Sequence, residues 1–161
     1  MDRLEIIRGI VDQYIASIQD ESTKKFAYIH TYGVSQSCAM LAIRRHANVE
    51  LACIAGMLHD IARYAENHPH VGHAKRSAIL SKQILEELAI FTESEIQILT
   101  NAIFQHSDKM LRDGGEISEI LKDGDVLQHY LYNVNIELSP KDKFRLFYLL
   151  EEIHCDTNDT L

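Results

Sequence analysis

Apolar residues recur every three or four positions along nearly the whole chain, and few helix-breaking residues interrupt them. The 161 residues include only 7 glycines and 2 prolines. This period places apolar side chains along one face of an α-helix, whereas the alternation typical of half-buried strands is nearly absent. We therefore predict an all-α, compact single-domain helical bundle of about seven helices spanning residues 1–161, without internal repeats.

The apolar stripes and the local capping signals place the individual elements. Residues 66–72 (ENHPHVG) are predicted to be a loop because Pro69 cannot continue a helix. Four helices are predicted with both bounds: Leu4–Ile18, Val49–Tyr64, Ile117–Asn135 with a break near Gly124, and 140–153 after the cap Ser139-Pro140. Three more are predicted by where they begin: at a cap on Ser22 or Thr23, at His73, and at a Thr92–Glu95 capping box. Asp113–Gly115 is predicted to be a turn.

Composition and charge narrow the class of partner. Lys and Arg number 16 against 24 Asp and Glu, a formal net charge of −8, and no Lys/Arg-rich run occurs. A nucleic-acid polymer is bound through a basic face, so we expect none as a partner. No apolar run approaches the roughly 18 residues of a membrane span, and no segment resembles a signal peptide. Because Cys38, Cys53 and Cys155 are widely spaced, we expect a reduced, cytoplasmic protein.

A histidine and an aspartate end the most apolar segment of the chain. His59 and Asp60 directly follow Ala52–Leu58. Burying a carboxylate costs several kcal/mol unless an Arg, a Lys or a metal ion compensates. Adjacent helical residues point about 100° apart, so one metal beside the helix end could accept both side chains. A surface histidine beside a helix-end aspartate is the alternative interpretation.

Similar residues recur elsewhere among the nine histidines. Imidazole and carboxylate groups are ligands for borderline or hard divalent ions. A single shared site explains these placements better than six unrelated ones. The six candidates, each on a helix face or end beside apolar residues, are His30, His59, Asp60, His73, His106 and Asp125.

Their order, H…HD…H…H…D, resembles the HD-domain superfamily of metal-dependent phosphohydrolases over roughly residues 26–130. LHDIAR (58–63) is similar to the family's LHDIGK motif, and LKDGDVL (121–127) to its DADxL motif. Ala62 stands where the family often has Gly. Gly124 stands where Ala is common, which leaves Asp123 open as an alternative to Asp125.

The resemblance implies an all-α fold with two divalent metal ions, of Fe, Mn, Zn, Ni or Mg. It implies a catalytic role for Asp60 as the shared ligand, and for Arg63, which occupies the position of the Lys in the family's HDxxK and would hold a phosphate. The implied ligands are His30, His59, Asp60 and Asp125 for the first ion, and Asp60, His73 and His106 for the second.

Several charged residues remain open at this stage. His68 or His70 could replace His73 as a ligand. The weaker candidates for a basic rim are Lys75, Arg76, Lys109 and Arg112, and no role is assigned to His46, His129 and His154.

The function implied by the resemblance is hydrolysis of a phosphomonoester or phosphodiester in a small, nucleotide-like molecule by a metal-activated hydroxide. The chain contains no GxSxG motif and no P-loop, so a serine nucleophile of that type and a P-loop enzyme are excluded. The alternatives are a dinuclear iron oxygenase of the same superfamily, a nucleotide-sensing binding module, and a helical protein with incidental histidines. A homo-oligomer is possible if the apolar helix Phe144–Ile153 packs against a second subunit.

Overall fold

A computed structural model describes residues 2–66, 72–112 and 114–154. Within these ranges the chain is all-α and contains no strand, which confirms the predicted fold class. The eight helical segments are α1 (Arg3–Ala16), α2 (Glu21–Arg44), α3 (Val49–Leu58), α4 (Ile61–Glu66), α5 (His73–Leu88), α6 (Glu93–Gln105), α7 (Glu116–Tyr132) and α8 (Pro140–His154). None of the described helices is both long and apolar enough to cross a bilayer.

The centre of the bundle is formed by α2, α3 and α7, which pack against one another. Every residue of α3 from Leu51 to Leu58 is buried, as its uniformly apolar sequence predicts. Helix α1 packs on α3, α5 pairs with α6, and α8 packs on α7. This arrangement surrounds the end of α3 with helices on several sides.

The predicted third helix, Val49–Tyr64, is interrupted. Helix α3 ends at Leu58 and α4 begins at Ile61, so His59 and Asp60 lie in a two-residue turn between them. This interruption raises the number of helical segments from the predicted seven to eight. It places His59 and Asp60 at the buried junction rather than on a continuous helical surface.

Two other local predictions need correction. The cap of α2 is Asp20, not Ser22 or Thr23, because the Asp20 carboxylate accepts both the Thr23 backbone N–H at 2.7 Å and the Ser22 hydroxyl at 2.6 Å. Helix α7 runs through Gly124 without the predicted break. A Cβ at Gly124 would lie 2.6 Å from Cys38 Sγ, so the glycine allows α7 to approach α2 closely.

The remaining turn and cap predictions have mixed outcomes. The Thr92–Glu95 capping box is present in full. Helix α8 begins at Pro140, and the Ser139 hydroxyl accepts the Asp142 backbone N–H at 3.4 Å. Of the loop predicted over 66–72, Glu66 instead ends α4, and residues 67–71, with His68 and His70, lie outside the described residues, as does Asp113 of the predicted turn.

Helix α8 covers one side of the core. It buries Arg145, Leu146 and Leu149 against the rest of the bundle and leaves Phe144, Phe147 and Tyr148 exposed. The helix therefore caps the core, one of the two arrangements considered from its sequence. Packing of its exposed aromatic face against a second subunit stays a prediction.

Replacing Gly56 by alanine is expected to lower the free energy of unfolding by about 1–3 kcal/mol through overpacking. An added Cβ would lie 2.7 Å from Ser35 Cα, and backbone atoms of α2 cannot move aside as a flexible side chain can. Gly9→Ala is the matched control, because among the described residues nothing beyond the adjacent backbone of α1 lies within 4 Å of its Cβ position. It should stabilise α1 by about 0.5–1 kcal/mol. Urea unfolding measures both changes, and equal stability of the two variants would contradict this close helix contact.

Candidate metal centre

Three of the six candidate residues converge from separate parts of the chain beside the α3–α4 junction. His30 projects from α2, His59 from the junction and Asp125 from α7, and all three are buried. His30 Nε2 lies 3.1 Å from His59 Nε2 and 3.6 Å from Asp125 Oδ1. These three ligand atoms form one compact group that could hold a metal ion.

The tautomers of this histidine pair are fixed by their other ring nitrogens. His30 Nδ1 lies 2.7 Å from Gln128 Oε1, and His59 Nδ1 lies 2.7 Å from the Gly56 carbonyl oxygen. Both partners can only accept, so each Nδ1 carries a proton, and a neutral ring then presents its lone pair at Nε2. Burial, together with the charge of His59, lowers the pKa of His30 to about 4, which favours its neutral form. In their neutral forms the two rings therefore direct Nε2 lone pairs at each other across 3.1 Å.

A second group lies on the other side of Asp60. His73, at the start of α5, and His106, directly after α6, have Nε2 atoms 3.0 Å apart. Asp60 Oδ1 lies 3.3 Å from His73 Nε2 and 3.7 Å from His106 Nε2. His106 Nδ1 donates to the Ile103 carbonyl oxygen at 2.6 Å, so its Nε2 is also available as a ligand. Burial lowers the pKa of His106 to about 3.

Asp60 connects the two groups. Its Oδ2 lies 3.8 Å from His30 Nε2 and 3.7 Å from His59 Nε2, while its Oδ1 faces the other histidine pair. Burial alone would raise the pKa of this carboxyl, but the charges of His59 and Arg63 hold it well below its usual range. Oδ1 is buried without a hydrogen-bond partner in the described part of the chain. A buried, ionised oxygen of this kind requires a cation or a donor.

The donor set fits divalent metal ions on these observations. At metal–nitrogen distances of 2.0–2.1 Å, two histidine ligands of one ion lie about 2.9–3.4 Å apart, depending on the bond angle. The pairs at 3.1 Å and 3.0 Å fall within this range. A cation between the His30 and His59 lone pairs would also turn a repulsive contact into a favourable one. The assignment of individual ligands to two ions stays a prediction.

Two cations contact the candidate ligands from the cavity side. Arg63, at one end of the junction, donates from an Nη atom to Asp60 Oδ2 at 2.6 Å. Lys109, three residues after His106, donates from Nζ to Asp125 Oδ2 at 2.6 Å. Each candidate ligand carboxylate therefore has one oxygen paired with a cation, while its other oxygen, Asp60 Oδ1 or Asp125 Oδ1, faces histidines.

The structure separates Asp125 from its sequence alternative. Asp123 lies elsewhere on α7, where its two oxygens accept from Arg45 and Arg145, each at 2.8 Å. Only Asp125 belongs to the cluster with His30 and His59 among the described residues.

Sequence reasoning missed two neighbours of the site. His129 Nε2 lies 3.4 Å from Asp125 Oδ1, and its ring centroid lies 4.8 Å from that of His30. The i,i+4 spacing from Asp125 to His129 was a signal that could have found it. Gln128 orients His30 across 98 residues of chain, and no local pattern indicates such a contact. Of the weak rim candidates, Lys109 lines the cavity, whereas Lys75, Arg76 and Arg112 are absent from its described lining.

A cavity of about 470 Å³ opens onto the cluster. Its polar lining includes His30, His73, His106, Asp60, Asp125, Arg63 and Lys109. Phe26, Val126, Ile136 and Leu138 contribute apolar surface to its lining. This volume suits a small ligand, and the combination of charged and apolar surface suits one that carries both kinds of group.

The helical fold and this cluster together are found in a known family. The family model for the HD domain matches residues 27–138, so the chain belongs to the HD-domain family, which confirms the resemblance seen in its motifs. Among solved structures, it is similar to the crystal structure of a predicted HD superfamily hydrolase from an uncultured Thermotogales bacterium. The identity is 23%, the TM-score is 0.64, and the match covers 95% of this chain and 92% of that one. At this identity the similarity establishes the fold. A comparison with curated proteins found no match.

Proposed function

We propose that this HD-domain protein is a metal-dependent phosphohydrolase that cleaves a phosphoester bond in a small, nucleotide-like molecule. The observation that carries the proposal is the pair of Nε2 lone pairs of His30 and His59, which face each other at 3.1 Å beside two carboxylates. This contact is unfavourable unless a proton or a metal ion lies between the two nitrogens. The description of the structural relative as an HD superfamily hydrolase supports the same class of reaction.

The proposed ligand sets are those implied by the sequence, with Asp60 shared between two ions. Divalent ions in these positions would lower the pKa of a shared water towards neutrality and stabilise negative charge on a phosphoryl group. Asp60 suits a bridging position because its two oxygens face different histidine pairs. Gln128 and the Gly56 carbonyl hold the first pair of imidazoles in the tautomer that ligation requires.

Arg63 and Lys109 account for the charge of the proposed substrate. Both line the cavity beside the cluster, and a guanidinium has five donors, of which the described contacts of Arg63 use one. Its free donors can bind phosphoryl oxygens bidentately. Phe26, Ile136 and Leu138 would contact the apolar part of the molecule, which supports a substrate with a base or ring attached to its phosphate.

Metal analysis of protein purified without a His-tag or chelator is the first test. We expect about two divalent ions per chain by mass spectrometry, because the cluster offers two histidine pairs and a shared carboxylate. The identity of the metal then selects the assay. Mn, Mg, Zn or Ni leads to a panel of phosphomonoesters and phosphodiesters, and iron leads to oxygen uptake as well.

The result also separates the alternatives. Oxygen consumption with iron and no phosphate release would favour the oxygenase. Tight nucleotide binding without turnover would favour the sensing module. Absence of bound metal, even after reconstitution with Mn, Fe or Zn, would overturn the metal centre and the phosphohydrolase proposal together.

A further inference from the structure

Lys109 is a buried cation whose position is fixed from two sides. Only 7% of its surface is exposed, although it lies in the short connection after α6 rather than in a helix. Its backbone carbonyl accepts a hydrogen bond from Arg145 Nε of α8. Its Nζ donates to Asp125 Oδ2 at 2.6 Å and to the Lys122 carbonyl oxygen at 3.3 Å. The ammonium group is therefore held in a fixed position in the lining of the cavity.

One donor of this ammonium group remains for a ligand. A lysine has three N–H donors, and the described contacts of Lys109 use two of them. The residue lines the same cavity as Arg63 and the clustered histidines. An anion bound at the cluster would therefore meet Lys109 on the side of Asp125 and Arg63 on the side of Asp60.

The charges around the cluster favour a ligand with more than one negative charge. Asp60 and Asp125 are each paired with a cation, so these four side chains carry no net formal charge. Two divalent ions would add their whole charge to a site whose candidate ligands are buried. Electrostatic interactions are strong in such surroundings, and the site gains more from a doubly charged ligand than from a singly charged one.

We propose that Lys109 is a catalytic residue that binds a non-bridging phosphoryl oxygen and selects a phosphomonoester dianion over a phosphodiester monoanion. The inference rests on the proposed function and names the substrate class of that site. In the reaction, the oxygen of water forms a bond to phosphorus, the ester P–O bond breaks, and the leaving alcohol receives a proton that originates from the water. Lys109 keeps its bonds and its charge throughout and stabilises the phosphoryl oxygen.

The test compares Lys109→Gln and Lys109→Met with wild type and with Lys82→Met, which removes a lysine from the exposed surface of α5. Glutamine can still donate a hydrogen bond to Asp125, so this variant removes the positive charge while retaining the contact that positions the Asp125 carboxylate. The substrates are p-nitrophenyl phosphate and its methyl diester, which share a leaving group. Metal content and the affinity of the Mn²⁺-loaded protein for inorganic phosphate are measured on the same preparations.

We expect Lys109→Gln to retain about two ions per chain, as wild type does. Its kcat/KM for the monoester should fall about 100-fold, the usual effect of losing one donor to a developing oxyanion. Its kcat/KM for the diester should change by less than about 5-fold, and its Kd for phosphate should rise at least about 10-fold. Lys82→Met should match wild type in all four measurements.

Two results would overturn the proposal. Equal losses for both esters would show that Lys109 does not discriminate between them, and loss of one metal ion would show that it acts only by positioning Asp125. Should the wild type hydrolyse neither these two esters nor any member of the phosphoester panel, the proposed function would fail by itself. The affinity for inorganic phosphate would then decide whether Lys109 binds a phosphoryl oxygen. An unchanged Kd in the Gln variant contradicts that contact, and a Kd at least about 10-fold higher supports it. If Lys109→Met does not fold, Lys109→Gln carries the comparison.

Discussion

Asp60→Ala is expected to lose both metal ions and at least about 1,000-fold in kcat/KM. The residue offers one oxygen to each histidine pair, at 3.7 Å from His59 Nε2 and 3.3 Å from His73 Nε2. No other described carboxylate lies between the two pairs. Loss of an outer-shell contact alone commonly costs 10–100-fold, so loss of a shared ligand should cost more. Mass spectrometry of the purified variant and phosphate release measure the two effects.

A folding control is needed because Asp60 is buried. Circular dichroism should show unchanged helix content, since Arg63, the cation left behind, keeps access to solvent at the cavity. Glu86→Ala on α5 removes a carboxylate from the surface and should leave metal content and activity at wild-type levels. A fully active, metal-loaded Asp60→Ala protein would contradict the shared-ligand assignment.

Asp125→Asn and Asp123→Asn are expected to affect different properties, metal content and stability respectively, although the two residues are only two positions apart. Asp125→Asn should reduce the metal content from about two ions to about one, because Asp125 Oδ1 belongs with His30 and His59. Its activity should fall by at least about 100-fold. Asp123→Asn should retain both ions and lose about 3 kcal/mol of unfolding free energy, because it weakens ion pairs with Arg45 and the buried Arg145.

The pair is measured by metal analysis and by urea unfolding at a temperature where both variants are folded. Asp123→Glu, which keeps the charge, should recover part of the lost stability without changing the metal content. If Asp123→Asn loses an ion and Asp125→Asn does not, the ligand on α7 is Asp123 rather than Asp125.

Periodicity and capping chemistry predicted the helices well because both signals are local. The Thr92–Glu95 box and the Ser139-Pro140 start involve residues within one turn of each other, and both are present. The interruption at His59 and the continuity of α7 at Gly124 were mispredicted. At Gly124 the deciding contact is with Cys38, which lies 86 positions earlier in the chain, and a tertiary contact of this kind leaves no local pattern.

The six candidate ligands were found because burial and chemistry conflict at each of them. A carboxylate or imidazole next to an apolar run indicates a compensating partner, and the structure brings all six together. Lys109 and Gln128 were not distinguished in this way. Lys109 follows α6 in a non-helical connection, where residue spacing does not determine direction, and Gln128 reads as an ordinary polar residue until His30 is placed beside it.

The clustered residues come from α2, the α3–α4 junction, α5, the end of α6 and α7, and His30 and Asp125 are almost 100 positions apart. An unfolded chain does not hold these groups together, so ions bound here act as reversible cross-links that favour the native state by mass action. Once the free ion concentration exceeds the dissociation constant, each further tenfold rise adds about 1.4 kcal/mol of stability per ion bound. With ions bound as proposed, the thermal stability of this protein would depend on metal supply, and a chain starved of metal would be the one most exposed to proteolysis.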